Sequence, residues 1–175
     1  MPFAKMLRSF CSTIDNLNEW TAKIGSWLIV PLTLLVVMDV TLRYVFNRPT
    51  IWAWDIAVQL LGGIAVLGSG YALLVGAHIG IDVFPQHLSK RKKGVLEIIT
   101  YTFFFFSVGV LLWKTTLAAV ISVQTKEMYN SFFRPPIYFL KVAMFVGFLL
   151  LFLEGIANFI RNLLNIISPR AGGTL

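Results

Sequence analysis

Cysteine, histidine and charged residues are scarce in this sequence. Its 175 residues include one cysteine, two histidines and eight acidic residues, and charged residues make up 13% of the chain. The lone thiol of Cys11 cannot form an internal disulfide, and no Cys/His cluster is present that would bind zinc or an iron–sulfur centre. We therefore expect no metal, no other cofactor and no catalytic residue. A soluble domain has about 25% charged residues, so water is not the main solvent of this chain.

Apolar residues make up 57% of the sequence and lie in four long blocks separated by short polar stretches. At about 1.5 Å per helical residue, each block is long enough to cross a hydrocarbon layer of about 30 Å. The predicted transmembrane helices cover about residues 24–46, 51–77, 95–123 and 136–164. The chain is thus predicted to be an all-α integral membrane protein with a single membrane domain, residues 1–175.

The segment ahead of the first span, about residues 3–23, has apolar residues at helical spacing. Its apolar face includes Phe10 and Leu17, and its polar face includes Asp15 and Asn18. This pattern predicts an amphipathic helix that lies in the membrane interface. The alternative is a soluble lead-in to the first span.

Basic residues predict the orientation of the chain. The N-terminal segment, the loop that contains Lys90–Lys93 and the C-terminal tail carry more Lys and Arg than the two other connections. The positive-inside rule therefore places both termini in the cytoplasm. Because the basic residues gather at the ends of apolar blocks, anionic lipid and topology explain the net charge of +7 better than nucleic acid does.

Ionisable residues within the spans need a partner, because hydrocarbon does not solvate charge. Asp39 and Arg43 are four residues apart, a spacing that favours a helical ion pair. Together with Arg48 and Asp55 they predict a charged cluster near the outer membrane surface. The cluster either clamps the first two spans together or acts as a proton or cation relay. A relay would place an unpaired carboxylate near the middle of the membrane, which favours the clamp.

Small residues recur along one face of the second span at spacings of three and four. They are Gly62, Ala65, Ser69, Ala72 and Gly76. Such a face allows another helix to approach closely. That helix belongs either to this chain or to a partner subunit.

The remaining polar residues in or near the spans are isolated. Lys114 is predicted to snorkel towards the outer interface, and Glu154 to pair with Arg161 across two turns or with a partner chain. His78 and Asp82 would be one turn apart in a helix, and without a nucleophile they indicate a structural or interface role. Both histidines of the chain lie outside the spans, which argues against a bis-histidine haem.

Three short motifs resemble the small membrane subunit of tripartite ATP-independent periplasmic (TRAP) transporters. They are the segment Arg43-Tyr-Val-Phe-Asn47-Arg48-Pro, the pair Trp54-Asp55 at the start of the second span, and the segment His78-Ile-Gly-Ile-Asp82-Val. The length, the four spans and the basic loop are also similar to that family.

The resemblance implies a non-catalytic scaffold in the bacterial inner membrane, beside a large permease subunit that carries the substrate and sodium sites. A periplasmic substrate-binding protein would deliver an organic anion, commonly a carboxylate, and a sodium gradient would drive its uptake. The partners would then be the large permease subunit, the binding protein and membrane lipids.

Two other functions remain open from the residues alone. A small proton-coupled exporter that acts as a dimer would need an essential membrane carboxylate, for which Asp39 and Glu154 are the candidates. A membrane anchor of a respiratory enzyme complex would need a bound haem or quinone.

Overall fold

The structure is a computed structural model that describes residues 2–76 and 90–167, with side chains for residues 6–76 and 99–162. It contains five helices in these ranges: α1 (Pro2–Trp27), α2 (Ile29–Tyr44), α3 (Ala53–Leu74), α4 (Lys90–Thr125) and α5 (Tyr138–Ile167). No strand occurs in the described part of the chain. Four helical segments are long and apolar enough to span a membrane: Met6–Tyr44, Ala53–Leu74, Ile99–Thr125 and Tyr138–Asn162. The all-α membrane fold with four spans is therefore confirmed.

Helices α1 and α2 are separated only by Leu28. The N–H of Leu28 donates to the Gly25 carbonyl over 3.1 Å, and the N–H of Leu32 donates to Leu28 over 3.2 Å. Pro31 has no N–H, so the preceding turn loses one helical hydrogen bond, and the proline ring crowds the same turn. The helix therefore breaks at Leu28 and resumes at once as α2, and the predicted boundary between the interfacial helix and the first span, at residues 23 and 24, lies inside α1.

A single narrow stripe joins these two helices to the rest of the bundle. Its members are buried or half-buried and follow one another at spacings of three and four: Cys11, Ile14, Asn18, Thr21, Gly25, Leu28, Leu32, Leu35, Asp39 and Leu42. In α2 every residue outside this stripe is exposed. Residues at this spacing lie on one side of a helix, so α2 is an edge helix that packs only against α3.

Helix α3 ends in a glycine cap. Gly76 has a φ of 70°, a left-handed conformation that glycine adopts without steric cost. The N–H groups of Val75 and Gly76 donate back to Tyr71 and Leu73 over 3.0 and 3.3 Å. Gly76 therefore terminates the helix and is not part of a helical face.

Helix α5 lies at the centre of the bundle and packs against α1, α3 and α4. Two buried clusters hold it there: Leu73, Val108 and Leu151 join α3, α4 and α5, while Cys11, Ile14 and Ala157 join α1 and α5. Gly147 permits a close approach of α5 to the backbone of α3, since a Cβ placed there would lie 2.5 Å from the Val66 carbonyl oxygen. Helices α2 and α4 are the two edges of this arrangement.

The connection between α4 and α5 forms a small closed loop. The N–H of Tyr129 donates to Pro135 over 2.7 Å, and the N–H of Ile137 donates to Glu127 over 3.1 Å. The ring of Phe133 lies 6.3 Å from that of Trp52, between centroids, so this loop and the α2–α3 loop share one end of the bundle.

A methyl group at Gly147 tests the close packing of α3 on α5. We expect Gly147→Ala to lower the free energy of unfolding by about 2 kcal/mol, because a well-packed helix pair resists added atoms. Thermal unfolding in detergent, followed by far-UV circular dichroism, measures the change.

Gly109→Ala in α4 is the matched control, because a Cβ at that site meets no atom within 4 Å. Alanine has the higher helix propensity, so this variant should be as stable as the wild type or more stable by up to about 1 kcal/mol. Equal stability of the two variants would contradict the close approach at Gly147.

The ion pair between Lys141 and Glu127 predicts a pH dependence. The hydrogen bond from the Lys141 ammonium holds the pKa of Glu127 below its ordinary value of 4.5. A lowered folded-state pKa stabilises the fold fully above the unfolded pKa, and the contribution is lost as the pH falls through the folded pKa. We expect Glu127→Gln to unfold about 2 °C below the wild type at pH 7, with the gap closing only below about pH 4. Melting curves between pH 7 and pH 3 check this, and a gap that does not change with pH would refute it.

Candidate functional site: a buried polar junction between α1 and α5

Four polar side chains meet where α1 crosses α5. The carboxylate of Glu154 is fully buried. It accepts hydrogen bonds from the Asn18 amide over 2.9 Å and from the Arg161 guanidinium over 2.6 Å. The guanidinium also donates to both carboxylate oxygens of Asp15, each over 3.0 Å. Two acids therefore share one arginine, and the junction ties the N-terminal helix to the central helix of the bundle.

Helical phase brings these groups together. On α5, Glu154, Ala157 and Arg161 are spaced by three and four residues, so their side chains point to one side. Cys11 and Asn18 occupy the matching stripe of α1. The Cys11 thiol lies 3.8 Å from the Ala157 carbonyl, and apolar neighbours surround the junction. In such surroundings a charge is tolerated only when it is paired.

Asn18 also reaches the third helix of the bundle. A Cβ at Gly70 of α3 would lie 2.0 Å from the Asn18 amide oxygen, so only glycine leaves room for this side chain. The amide nitrogen of Asn18 donates to Ile14 over 3.2 Å as well as to Glu154. Asn18 is thus the point at which α1, α3 and α5 meet.

Two atoms of the junction have no hydrogen-bond partner among the described residues. They are the amide oxygen of Asn18 and the Nε atom of Arg161. Every charged group is nonetheless paired, so the arrangement holds the helices in place and leaves no free cation to bind an anion.

The charged cluster predicted at the first hairpin is divided in the structure. Arg43 donates to Asp39 over 2.8 Å, and the Thr50 hydroxyl also donates to Asp39, which connects α2 to the following loop. The side chain of Arg48 is exposed. Asp55 is only 7% exposed and forms no ion pair with any described residue.

Helical phase explains the separation of Asp55 from Asp39. Asp55 precedes Gly62 by seven residues and Val66 by eleven, so all three lie on one side of α3. Gly62 faces Leu140, and Val66 faces Gly147, both on α5. Asp55 therefore lies on the side of α3 that faces α5, whereas Asp39 belongs to the stripe of α2 that faces α3.

The other residues of the first two motifs lie at the same end of the bundle. Asn47 has a φ of 50° and turns the chain after α2, a conformation that asparagine tolerates better than most residues. Trp54 is 72% exposed, in keeping with an aromatic side chain at a membrane boundary.

The predicted small-residue face of α3 does not form one contact surface. Gly62 approaches Leu140 of α5, whereas Ala65 is exposed. Ser69 and Ala72 are half-buried, and the Ser69 hydroxyl donates to the Val66 carbonyl over 2.7 Å. Gly76 lies beyond the helix. Contact between this small-residue face and a partner subunit stays a prediction.

His78 and Asp82 lie outside the described residues, as do the remaining residues of the third motif. The Lys90–Lys93 run belongs to the first turn of α4, and its side chains also lie outside the described part.

Asn18, which the sequence pattern placed on the polar face of α1, is fully buried, while Phe10 and Leu17 of the predicted apolar face are 47% and 48% exposed. Burial follows the stripe through Cys11, Ile14 and Asn18 because α5 offers Asn18 a hydrogen-bond partner. Of the two alternatives for Glu154, the pair with Arg161 is present. A sequence signal for the burial of Asn18 was its spacing of seven residues from Cys11, which places both side chains on the same side of α1.

A mainly apolar groove of about 360 Å³ runs between α1 and α3. Gly25, Ile64 and Gly68 are among its lining residues. The charged residues at its edge, Glu19 and Lys23, pair with each other over 2.7 Å. The groove therefore presents no unpaired charge to a ligand.

Long apolar helices, paired internal charges and exposed apolar edges define a polytopic helical membrane protein. The model of the family "Tripartite ATP-independent periplasmic transporters, DctQ component" matches residues 32–165. The chain belongs to this family, and its role is in transport rather than in catalysis.

Two curated relatives are similar to parts of the chain. The chain is 24% identical over 103 residues to the sialic acid TRAP transporter permease protein SiaT of Haemophilus influenzae, covering 55% of this chain and 16% of that protein. It is 25% identical over 92 residues to the C4-dicarboxylate TRAP transporter small permease protein DctQ of Vibrio cholerae, covering 50% of this chain and 40% of that protein. The matched segments thus span less than half the length of either relative.

Removal of the shared guanidinium tests the junction. We expect Arg161→Leu to lower the free energy of unfolding by about 3 kcal/mol, because Glu154 and Asp15 lose their common partner. Thermal unfolding of the purified chain in detergent measures the loss.

Arg8→Leu provides the control, since Arg8 is an exposed arginine of α1 and its removal should change the free energy of unfolding by less than about 0.5 kcal/mol. If the two arginine variants unfold at the same temperature, the junction does not stabilise the bundle.

Proposed function

We propose that the chain is the small permease subunit of a TRAP transporter in the bacterial inner membrane. In this role it supports a large permease subunit that moves the solute. Uptake is driven by a sodium gradient, and the solute is an organic anion delivered by a periplasmic substrate-binding protein. Both termini of the chain lie in the cytoplasm.

Support comes first from the family match and from the sizes of the relatives. In the SiaT permease protein, the segment similar to this chain is 16% of a much longer polypeptide. The DctQ relative is by its name a small permease protein. A chain of this family therefore corresponds to a minor part of a permease, and the remaining part must come from another subunit.

The charges in the described helices also favour a supporting role. Three carboxylates inside the candidate spans are fixed by ion pairs: Asp15 and Glu154 with Arg161, and Asp39 with Arg43. A transport site for an anion needs a cation that is free to meet it. Among these groups, each cation already holds an acid of the same chain.

The solute class follows from the names of the relatives. Sialic acid and C4-dicarboxylates both carry carboxylate groups at neutral pH. We extend this shared chemistry to the present chain and propose a carboxylate as its solute.

Reconstituted uptake tests the proposed function. Liposomes that contain this chain and the large permease of the same gene cluster should take up a labelled carboxylate when the binding protein and an inward sodium gradient are present. Liposomes with this chain alone should take up none, because the proposal places the transport site in the large permease.

Uptake by the chain alone, or full uptake by the large permease without it, would reject the supporting role. A green fluorescent protein fused after Leu175 checks the orientation, since it fluoresces only when the C-terminus is cytoplasmic. A dark fusion of normal abundance would reverse the proposed topology.

A further inference from the structure

Lys114 is placed where a lysine is costly. It lies in α4, 15 residues after Ile99 and 11 residues before Thr125, the ends of the third candidate span. A helix of this length is about 40 Å long, so a hydrocarbon layer of about 30 Å leaves the Cα of Lys114 roughly 11 Å below the nearer boundary. The residue is exposed on the surface of the bundle and therefore faces the surrounding membrane.

Snorkelling does not readily solve this problem. The four-carbon stem of lysine is about half as long as that depth. In addition, side chains on a helix point towards its N-terminus, whereas the nearer boundary lies towards the C-terminus of α4. The ammonium group would have to bend back along the helix to reach water.

No acid of this chain neutralises Lys114 in the described structure. Four other cations of the candidate spans have a carboxylate partner, namely Lys23, Arg43, Lys141 and Arg161. Arg8, two residues from the start of the first candidate span, has no ion pair with a described residue. The neighbouring hydroxyls of Thr115 and Thr116 donate to carbonyl oxygens of their own helix. Among the described residues, Lys114 is therefore the unpaired cation that lies deepest in a candidate span.

The surface around Lys114 is large and apolar. Phe103, Phe106 and Trp113 are 68%, 71% and 68% exposed, and they continue along the same side of α4. The opposite side, which includes Val108 and Thr115, is buried in the bundle. Lipid alone would cover the aromatic side chains without cost, but it supplies no counter-charge at the depth of Lys114.

We propose that the exposed face of α4 around Lys114 is the surface on which the large permease subunit docks, with a carboxylate of a membrane helix of that subunit paired with the Lys114 ammonium. Charge complementarity selects this face over the exposed face of α2. The latter is apolar in its central part, and its arginine, Arg43, is already paired with Asp39. The inference rests on the proposed function, because it names the contact through which that function is carried out.

Co-purification tests the contact in the complex. The tagged chain is co-expressed with the large permease of its gene cluster, solubilised in mild detergent and captured by its tag. We expect Lys114→Leu to reduce the captured permease by about tenfold or more, because a carboxylate in the interface loses its partner. Lys114→Arg should retain most of the capture, and Lys114→Glu should lose more than Lys114→Leu.

Two controls separate docking from folding. Lys126→Leu removes an exposed lysine of the adjoining loop and should leave capture unchanged. Lys114→Leu in the chain expressed alone should melt at the wild-type temperature, because Lys114 has no partner among the described residues. A lower melting temperature would show a structural role and overturn the proposal.

Photocrosslinking locates the surface directly. A photoreactive phenylalanine at Trp113 should crosslink to the large permease, whereas the same group at Val37, exposed on α2, should not. Crosslinks from Val37 alone, or wild-type capture by Lys114→Leu and Lys114→Glu, would overturn the proposed surface and leave lipid as the neighbour of Lys114. If the wild-type chain captures no permease at all, the proposed function itself fails.

Discussion

The carboxylate of Glu154 is shared between an amide of α1 and a guanidinium of its own helix, and this contact sets the position of the N-terminal helix. Cys11 and Ile14 of α1 pack beside this contact on α5, whereas Phe10 and Leu17 point away from the bundle. A polar contact of this kind is specific in a membrane. Lipid competes with apolar contacts but does not supply hydrogen bonds.

The rest of the bundle is arranged around α5. Gly147 allows α3 to approach, and Ala157 allows α1 to approach, while the aromatic side chains Phe104 and Phe152 fill the contact between α4 and α5. Helix α5 is covered on several sides, and α2 and α4 are left as edges. The internal contacts of the described bundle are thus concentrated on one helix, and the outward faces of α2 and α4 stay exposed.

Most ionisable groups of the described spans are paired, but Asp55 and Lys114 are not. Asp39 pairs with Arg43, and Glu154 pairs with Arg161. These pairs anchor helices to one another. Asp55 is buried on the side of α3 that faces α5, whereas Lys114 is exposed on α4, and the contact proposed above would give Lys114 a carboxylate partner.

Local patterns in the sequence were sufficient for the helices and for short-range contacts. Four apolar blocks determined the number of spans, because hydrocarbon requires continuous helices, and the four-residue spacing of Asp39 and Arg43 determined their ion pair. The partner of Asn18 and the separation of Asp55 from Asp39 were decided only by the tertiary structure. Those contacts depend on the rotation of each helix about its axis and on which helix it meets, and residues far apart in the sequence set both.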